Sequence, residues 1–119
     1  MSERSWQDVG AVEDVEGAGA LVVRIGGREI GVVVDPETRQ LHAVRNRCPH
    51  HGAPLCRGTV RTRLVGAPGA YALGERRVLA CPWHGWEFDL ETGRGLDEAG
   101  LRVATYPLCV EDGRVLVQA

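Results

Sequence analysis

The chain contains no lysine; all fourteen of its basic residues are arginine. This bias reads as genomic composition rather than function. No apolar run approaches the roughly 20 residues needed to cross a bilayer. The polar N-terminus, with Glu3, Arg4 and Asp8, lacks the apolar centre of a secretory signal. A membrane partner is therefore not expected, and reducing cytoplasm is the expected compartment. A net charge of −2 gives no ground for a nucleic-acid partner. There is no G-x-G-x-x-G nucleotide loop, no two-histidine–carboxylate iron site, no internal repeat and no low-complexity linker. Acidic residues are also missing between Glu37 and Glu75, where Arg39, Arg45, Arg47, Arg57, Arg61 and Arg63 fall. Such a stretch is ordinarily a solvated face. Alternatively, Arg45, Arg47, Arg57, Arg61 and Arg63 partly ring a site and steer an acidic partner.

What is present suits one compact domain. At 119 residues the chain has room for one substantial core, so residues 1–119 are read as a single domain. A hydrophobic content of 44% lets that core form without disulfide staples. Four cysteines in a reducing compartment then point to metal or redox chemistry.

Short apolar runs alternate with turn signals. Leu21–Ile25 and Glu29–Val34 flank Gly26-Gly27 and read as a hairpin. Asp35-Pro36-Glu37-Thr38 is a turn, followed by a strand from Gln40 to Val44. Val78–Ala80 is a strand delivering Cys81, and Glu87–Asp89 is another, closed by Thr92-Gly93. Val103–Val110 and Arg114–Val117 form a last pair around Glu111-Asp112-Gly113. Ala11–Glu16 supports one helical turn at most. The architecture expected is all-β and antiparallel. Residues 57–77 look like a hairpin or flap inserted within a Cys- and His-bearing part at about 46–91.

Two fragments carry the chemistry: Cys48-Pro49-His50 and Cys81-Pro82-Trp83-His84. Together they give C-x-H followed by C-x-x-H, each on a Gly- and Pro-flanked loop. Two thiolates and two imidazoles form a metal-ligand set. Structural zinc is one reading, although zinc sites usually keep each pair as C-x-x-C or H-x3-H without a glycine after each histidine. The other is a [2Fe–2S] centre in which two histidines replace two cysteines on one iron. Each loop then supplies one Cys and one His, with Cys48 and Cys81 on the inner iron and His50 and His84 on the outer. Two ferric ions, two sulfides and two thiolates sum to zero charge. A neutral cluster accepts an electron more readily than the dianion that four cysteines would give. Gly52 and Gly85 are placed to let the backbone approach the sulfides, and Pro54 to start a turn covering the site.

The run Arg47-Cys48-Pro49-His50-His51-Gly52-Ala53-Pro54-Leu55, with Cys81-Pro82-Trp83-His84-Gly85-Trp86-Glu87-Phe88-Asp89-Leu90-Glu91-Thr92-Gly93, closely resembles the Rieske proteins. The likeness is to the ferredoxin and ring-hydroxylating-oxygenase branch, and it extends from the Trp6 strand to the ending at Val117. It implies three antiparallel sheets with a small cluster-binding subdomain and one Rieske-type [2Fe–2S] cluster. His51 stands where the family often has Arg or Gln; the C-x-H spacing favours His50 as ligand and leaves His51 exposed beside it. High-potential Rieske proteins carry a disulfide between the loops and a Ser after H-G. This chain has Ala53, Trp83 and Trp86 at those positions, which implies a potential near the bottom of the Rieske range, about −150 mV. Core packing is expected for Trp6 and Trp86, and either cluster shielding or docking for Trp83. Cys109 is expected as a buried inert thiol, and Cys56 as a cap-loop thiol without a role.

The function implied is a soluble one-electron carrier, not a stand-alone enzyme, passing electrons from a reductase to a terminal oxygenase. Two alternatives are a small Rieske subunit of an assimilatory nitrite reductase and a redox-sensing or structural module.

Overall fold

A computed structural model describes residues 5–66, 69–70, 72–98 and 100–119. Among the described residues, ten strands form three antiparallel sheets. The first sheet has the order β1 (Trp6–Ala11), β10 (Arg114–Gln118), β9 (Leu108–Glu111). The second runs β2 (Ala20–Ile25), β3 (Arg28–Val34), β4 (Leu41–Arg45), β8 (Thr105–Tyr106). The third runs β5 (Thr59–Val65), β6 (Ala72–Ala80), β7 (Glu87–Asp89). No helix among the described residues is long and apolar enough to cross a membrane.

The expected β2–β3 hairpin forms, with Gly26 and Gly27 at φ 57° and 79°. Both central residues of the tight turn need positive φ, which glycine adopts without steric cost. Strand β3 is buried over its last five residues. Its side chains serve two cores: Ile30, Val32 and Val34 pack with Val15, Tyr106, Val115 and Val117, whereas Val33 faces Leu55, Leu79, Phe88 and Leu90. A continuous apolar run on a strand covered on both faces is the physical outcome of this period-two division. At Gly31 the second core approaches too closely for any side chain; a Cβ there would sit 2.1 Å from Cys56 Sγ.

Three local expectations are corrected. The segment after β1 makes two helical turns, α1 (Val12–Ala18), rather than one. Val15, fully buried, anchors it in the core with the partly buried Val12 beside it, and Gly19, at φ 84°, ends it by donating its N–H to the Val15 carbonyl at 2.7 Å. The Val103–Val110 strand is divided. Pro107, lacking an N–H, separates β8 from β9, and the chain changes sheets there. Trp6 is 46% exposed rather than core, because it opens β1 opposite Gln118, at the end of the sheet beyond the packed side chains.

The segment at 57–77 contains all of β5 and most of β6, paired antiparallel; Ala67, Pro68 and Tyr71 lie outside the described residues. Strand β6 also pairs with β7, so this hairpin belongs to the sheet that leads into Cys81.

The second and third sheets are joined by a buried ion pair. Arg77, within β6, donates through Nε and Nη2 to the two oxygens of Asp35 at 2.8 and 2.7 Å. Asp35 follows β3 and is fully buried. It also accepts the Glu37 N–H at 2.9 Å, and Arg77 reaches Thr62 Oγ1 and, at 3.2 Å, Glu37. The guanidinium, opposed by burial and helped by the turn amides, holds the Asp35 carboxyl far below the usual carboxylate range. A depressed folded-state pKa gives stability that is present above the unfolded value and lost as pH falls through the more acidic range. Arg77→Met should lower stability by about 3 kcal/mol at neutral pH by leaving the buried carboxylate unpaired. The deficit relative to the parent chain should shrink below about pH 4. Urea unfolding followed by tryptophan fluorescence at both pH values checks this, and equal stability at neutral pH would refute it.

Candidate metal centre

The two loops have the same backbone form. In the first, Cys48 donates its N–H to the Ala53 carbonyl at 2.8 Å, and the Gly52 N–H returns to the Cys48 carbonyl at 2.7 Å. In the second, the Cys81 N–H meets the Trp86 carbonyl at 2.8 Å and the Gly85 N–H meets the Cys81 carbonyl at 2.9 Å. Gly52 and Gly85 have φ of 77° and 70°, the left-handed conformation that closes each turn. At Gly85 a Cβ would meet nothing within 4 Å, so the glycine there answers a backbone requirement rather than crowding by the protein.

The loops come from different sheets. Cys48 follows β4, and Cys81 follows β6 directly. Asn46 secures the base of the first loop: its N–H reaches the Glu29 carbonyl at 2.9 Å, and its Oδ1 accepts the Cys56 N–H at 2.8 Å. Pro54 precedes a single 3-10 turn, Leu55–Arg57, whose Arg57 N–H donates to the Pro54 carbonyl at 3.0 Å. At the second loop, Asp97 accepts the Glu87 N–H at 2.6 Å, while buried Glu87 pairs with Arg61 and, at 3.4 Å, with Arg63. Neither Asn46 nor Asp97 carries a sequence signal of its own; their partners come from other segments.

The four expected ligand residues converge. Cys48 and Cys81 are buried with their thiols against one another, and the N–H groups of His50 and His51 point at Cys48 Sγ. Burial, with the neighbouring Cys81 adding to it, pushes the Cys48 thiol above its ordinary value despite those two donors. The His50 ring stacks on Trp86, with centroids 3.5 Å apart at 16°. Its centroid lies 5.5 Å from that of His84. His50 Nδ1 is buried without a hydrogen-bond partner. Partial burial, then the neighbouring His51 and His84, hold the His50 pKa below normal.

His51 is closer to the site than an exposed bystander need be. Nitrogen atoms of His50, His51 and His84 all lie within 4.8 Å of one another. By the matching backbone hydrogen bonds, His51 occupies the first-loop position that His84 occupies in the second. The buried, unpartnered Nδ1 distinguishes His50 and leaves that nitrogen open to a metal.

Trp83 is 56% exposed, whereas Trp86 is half-buried, packing on the core below and on His50 above. Cys56 is buried in the core against Gly31, and burial pushes its thiol up to about 12, which makes it inert. Cys109 is half-buried on β9 rather than fully enclosed, and both thiols are free.

Two buried sulfurs beneath a cap of imidazoles, held by paired glycine turns on an all-β scaffold, define an iron–sulfur domain with mixed nitrogen and sulfur donors. The Rieske [2Fe-2S] domain family model matches residues 5–107, and the chain belongs to that family. It is 34% identical over 112 residues, 94% of this chain and 80% of the relative, to the ferredoxin component of the alkene monooxygenase system of Xanthobacter autotrophicus. It is 30% identical over 109 residues to human apoptosis-inducing factor 3, of whose length it spans 15%. Its fold matches a structure described as an NADH-dependent nitrite reductase small subunit from Mycobacterium tuberculosis, with a TM-score of 0.81 and 25% identity, covering 99% and 97% of the two chains. The cofactor class is thus a Rieske-type [2Fe–2S] cluster in place of zinc, and the chain resembles an electron-transfer ferredoxin rather than a catalytic enzyme.

The donor set and the orphaned His50 Nδ1 fit such a cluster. His50→Ala should abolish the mixed-ligand electron paramagnetic resonance signal of the reduced protein, and His51→Ala should retain it. The reverse pattern would make His51 the ligand.

Proposed function

We propose that this chain is a one-electron carrier in which Cys48, His50, Cys81 and His84 hold the cluster, and that it passes electrons from a reductase to a terminal oxygenase. The single observation carrying this reading is the burial gradient across the two loops. Both sulfurs are enclosed, while His84 and Trp83 are exposed beside them. When bound, the cluster supplies a site that gains and loses one electron. The chain's own residues do the rest. Cys48 and Cys81 bury the inner side, and backbone N–H groups of His50 and His51 stabilise the Cys48 sulfur. Trp86 fixes the His50 ring by stacking, and His84 brings the outer side to the surface where a partner can approach.

The ferredoxin role of the alkene monooxygenase relative supports the oxygenase partner. The likeness to a nitrite reductase small subunit favours a second reading, in which the chain is permanently bound to a larger one. A monomer that reduces a diffusing partner is expected in the first case, and stable association in the second. Residues 1–119 act as one domain on this reading, with 46–91 as its cluster-bearing part and 57–77 as an insertion within it. Four free cysteines suit a reducing cytoplasm.

Trp86, in the position after H-G, offers the cluster no hydroxyl and spends its indole on His50. The reduced form therefore lacks one stabilising hydrogen bond, and protein-film voltammetry should give a midpoint near the bottom of the Rieske range, about −150 mV. Electron paramagnetic resonance of the dithionite-reduced protein should show the lowered average g of mixed nitrogen and sulfur ligation. A midpoint well above zero would contradict the low-potential reading, and a silent, zinc-loaded protein would contradict the carrier itself.

A further inference from the structure

The tertiary structure redistributes the arginines that sequence alone groups into one basic stretch. Arg61 and Arg63 turn to Glu87, Arg39 pairs with Glu16 at 3.0 Å, and Arg57 lines a separate groove with Arg39. In their place the turn of the β2–β3 hairpin brings up Arg24 and Arg28. Its rungs are continuous with β4: Arg24 pairs with Glu29, and Ile30 with Arg45. Arg24, Arg28, Arg45 and Arg47 thus line one open groove of about 290 Å³ that reaches Gly52 and Pro54 of the first loop. The Arg47 guanidinium lies over Gly52, 3.3 Å from where a Cβ would stand.

The charge of this groove opposes that of the molecule. It gathers four of fourteen arginines and one of sixteen acidic residues, in a chain of net charge −2. Its one acid, Glu29, is engaged by Asn46 Nδ2 at 3.1 Å. Among the described residues none of the four arginines has an ion-pair partner. Arg28 lies over the Tyr106 ring at 5.8 Å, which steadies its guanidinium without neutralising it. Guanidinium groups are planar donors matched to carboxylates. At 290 Å³ the groove is at the lower limit for a cofactor or drug-sized ligand, and it suits inserted acidic side chains.

We propose that the Arg24–Arg28–Arg45–Arg47 groove docks a carboxylate-rich protein surface of the redox partner, laying that partner beside the first loop. The inference rests on the electron-carrier reading above and deepens it. The groove steers the acidic partner to the cluster end, against a net charge that would repel it.

The test uses the full chain with its cluster, reduced by dithionite. Each reduced cluster gives one electron to one cobalt(III) ion, either in the anion [Co(EDTA)]− or in the cation [Co(NH3)6]3+, and stopped-flow absorbance follows the reoxidation. Net charge alone makes the anion react faster as salt screens repulsion. The groove makes it react slower, by about threefold between roughly 0.01 and 0.3 M salt. Combining Arg24→Gln, Arg28→Gln and Arg45→Gln should remove that slowing while the visible spectrum of the cluster stays unchanged. A penta-glutamate peptide should shift the amide resonances of Gly27 and Asn46 in the parent chain and not in the variant. Identical salt dependence in parent and variant would overturn the groove alone. Failure of either probe to reoxidise the cluster would overturn the carrier reading, and the docking inference with it. Tighter binding of a deoxythymidine decamer than of the peptide would overturn the protein partner in favour of nucleic acid.

Discussion

The buried pairing of Asp35 with Arg77 is the constraint on which the site depends. Cys48 leaves the second sheet and Cys81 leaves the third, so the loops meet only if those sheets hold a fixed relation. Apolar packing of Val33, Leu55, Leu79 and Phe88 supplies most of the cohesion between them, but it is non-directional. A bidentate guanidinium–carboxylate contact is directional. It fixes how far β6 advances past the turn after β3, and hence where Cys81 emerges relative to Cys48. Asp35 is enclosed and Arg77 largely covered, and the pair is further bonded to Thr62 and to the Glu37 amide, which is the condition under which burying the carboxylate is tolerable.

Once the sheets are fixed, the loops need little further instruction. Each is closed by a pair of backbone hydrogen bonds and a left-handed glycine. This shared form leaves the difference between them to side chains. The first loop lays His50 on the outer face of Trp86, whereas the second sends Trp83 outward and keeps His84 at the surface. The two loops are asymmetric because C-x-H and C-x-x-H place His50 and His84 at different points of one turn.

Much of this was legible in the residues. The Gly-Gly hairpin, the strands on either side of each loop, and the C-x-H and C-x-x-H pairs all follow from local rules of turn chemistry and alternation. Trp6 misled because a large aromatic residue at a strand start reads as core, and nothing local says that the strand extends beyond its partners' side chains. The helix α1 was underestimated because a single buried residue, Val15, produces no periodic pattern. Val103–Val110 read as one strand because apolar alternation continues across Pro107, although a missing N–H is what permits the change of sheet.

The sequence by itself determined the all-β nature of the scaffold and two Cys- and His-bearing loops suited to a metal, since ligand spacing and turn residues act over a few positions, and its resemblance to the Rieske family pointed to the class of cofactor. Only the tertiary structure decided which arginines stay unpaired, since Glu87 captures Arg61 and Arg63 from the basic stretch while the β2–β3 turn contributes Arg24 and Arg28 from outside it. It also decided that Cys56 faces Gly31 in the core, and that His50 Nδ1 is enclosed without a partner beside His51. These outcomes depend on contacts between segments far apart along the chain. No local pattern records such contacts, because the energy that selects them is gained only when whole sheets pack together.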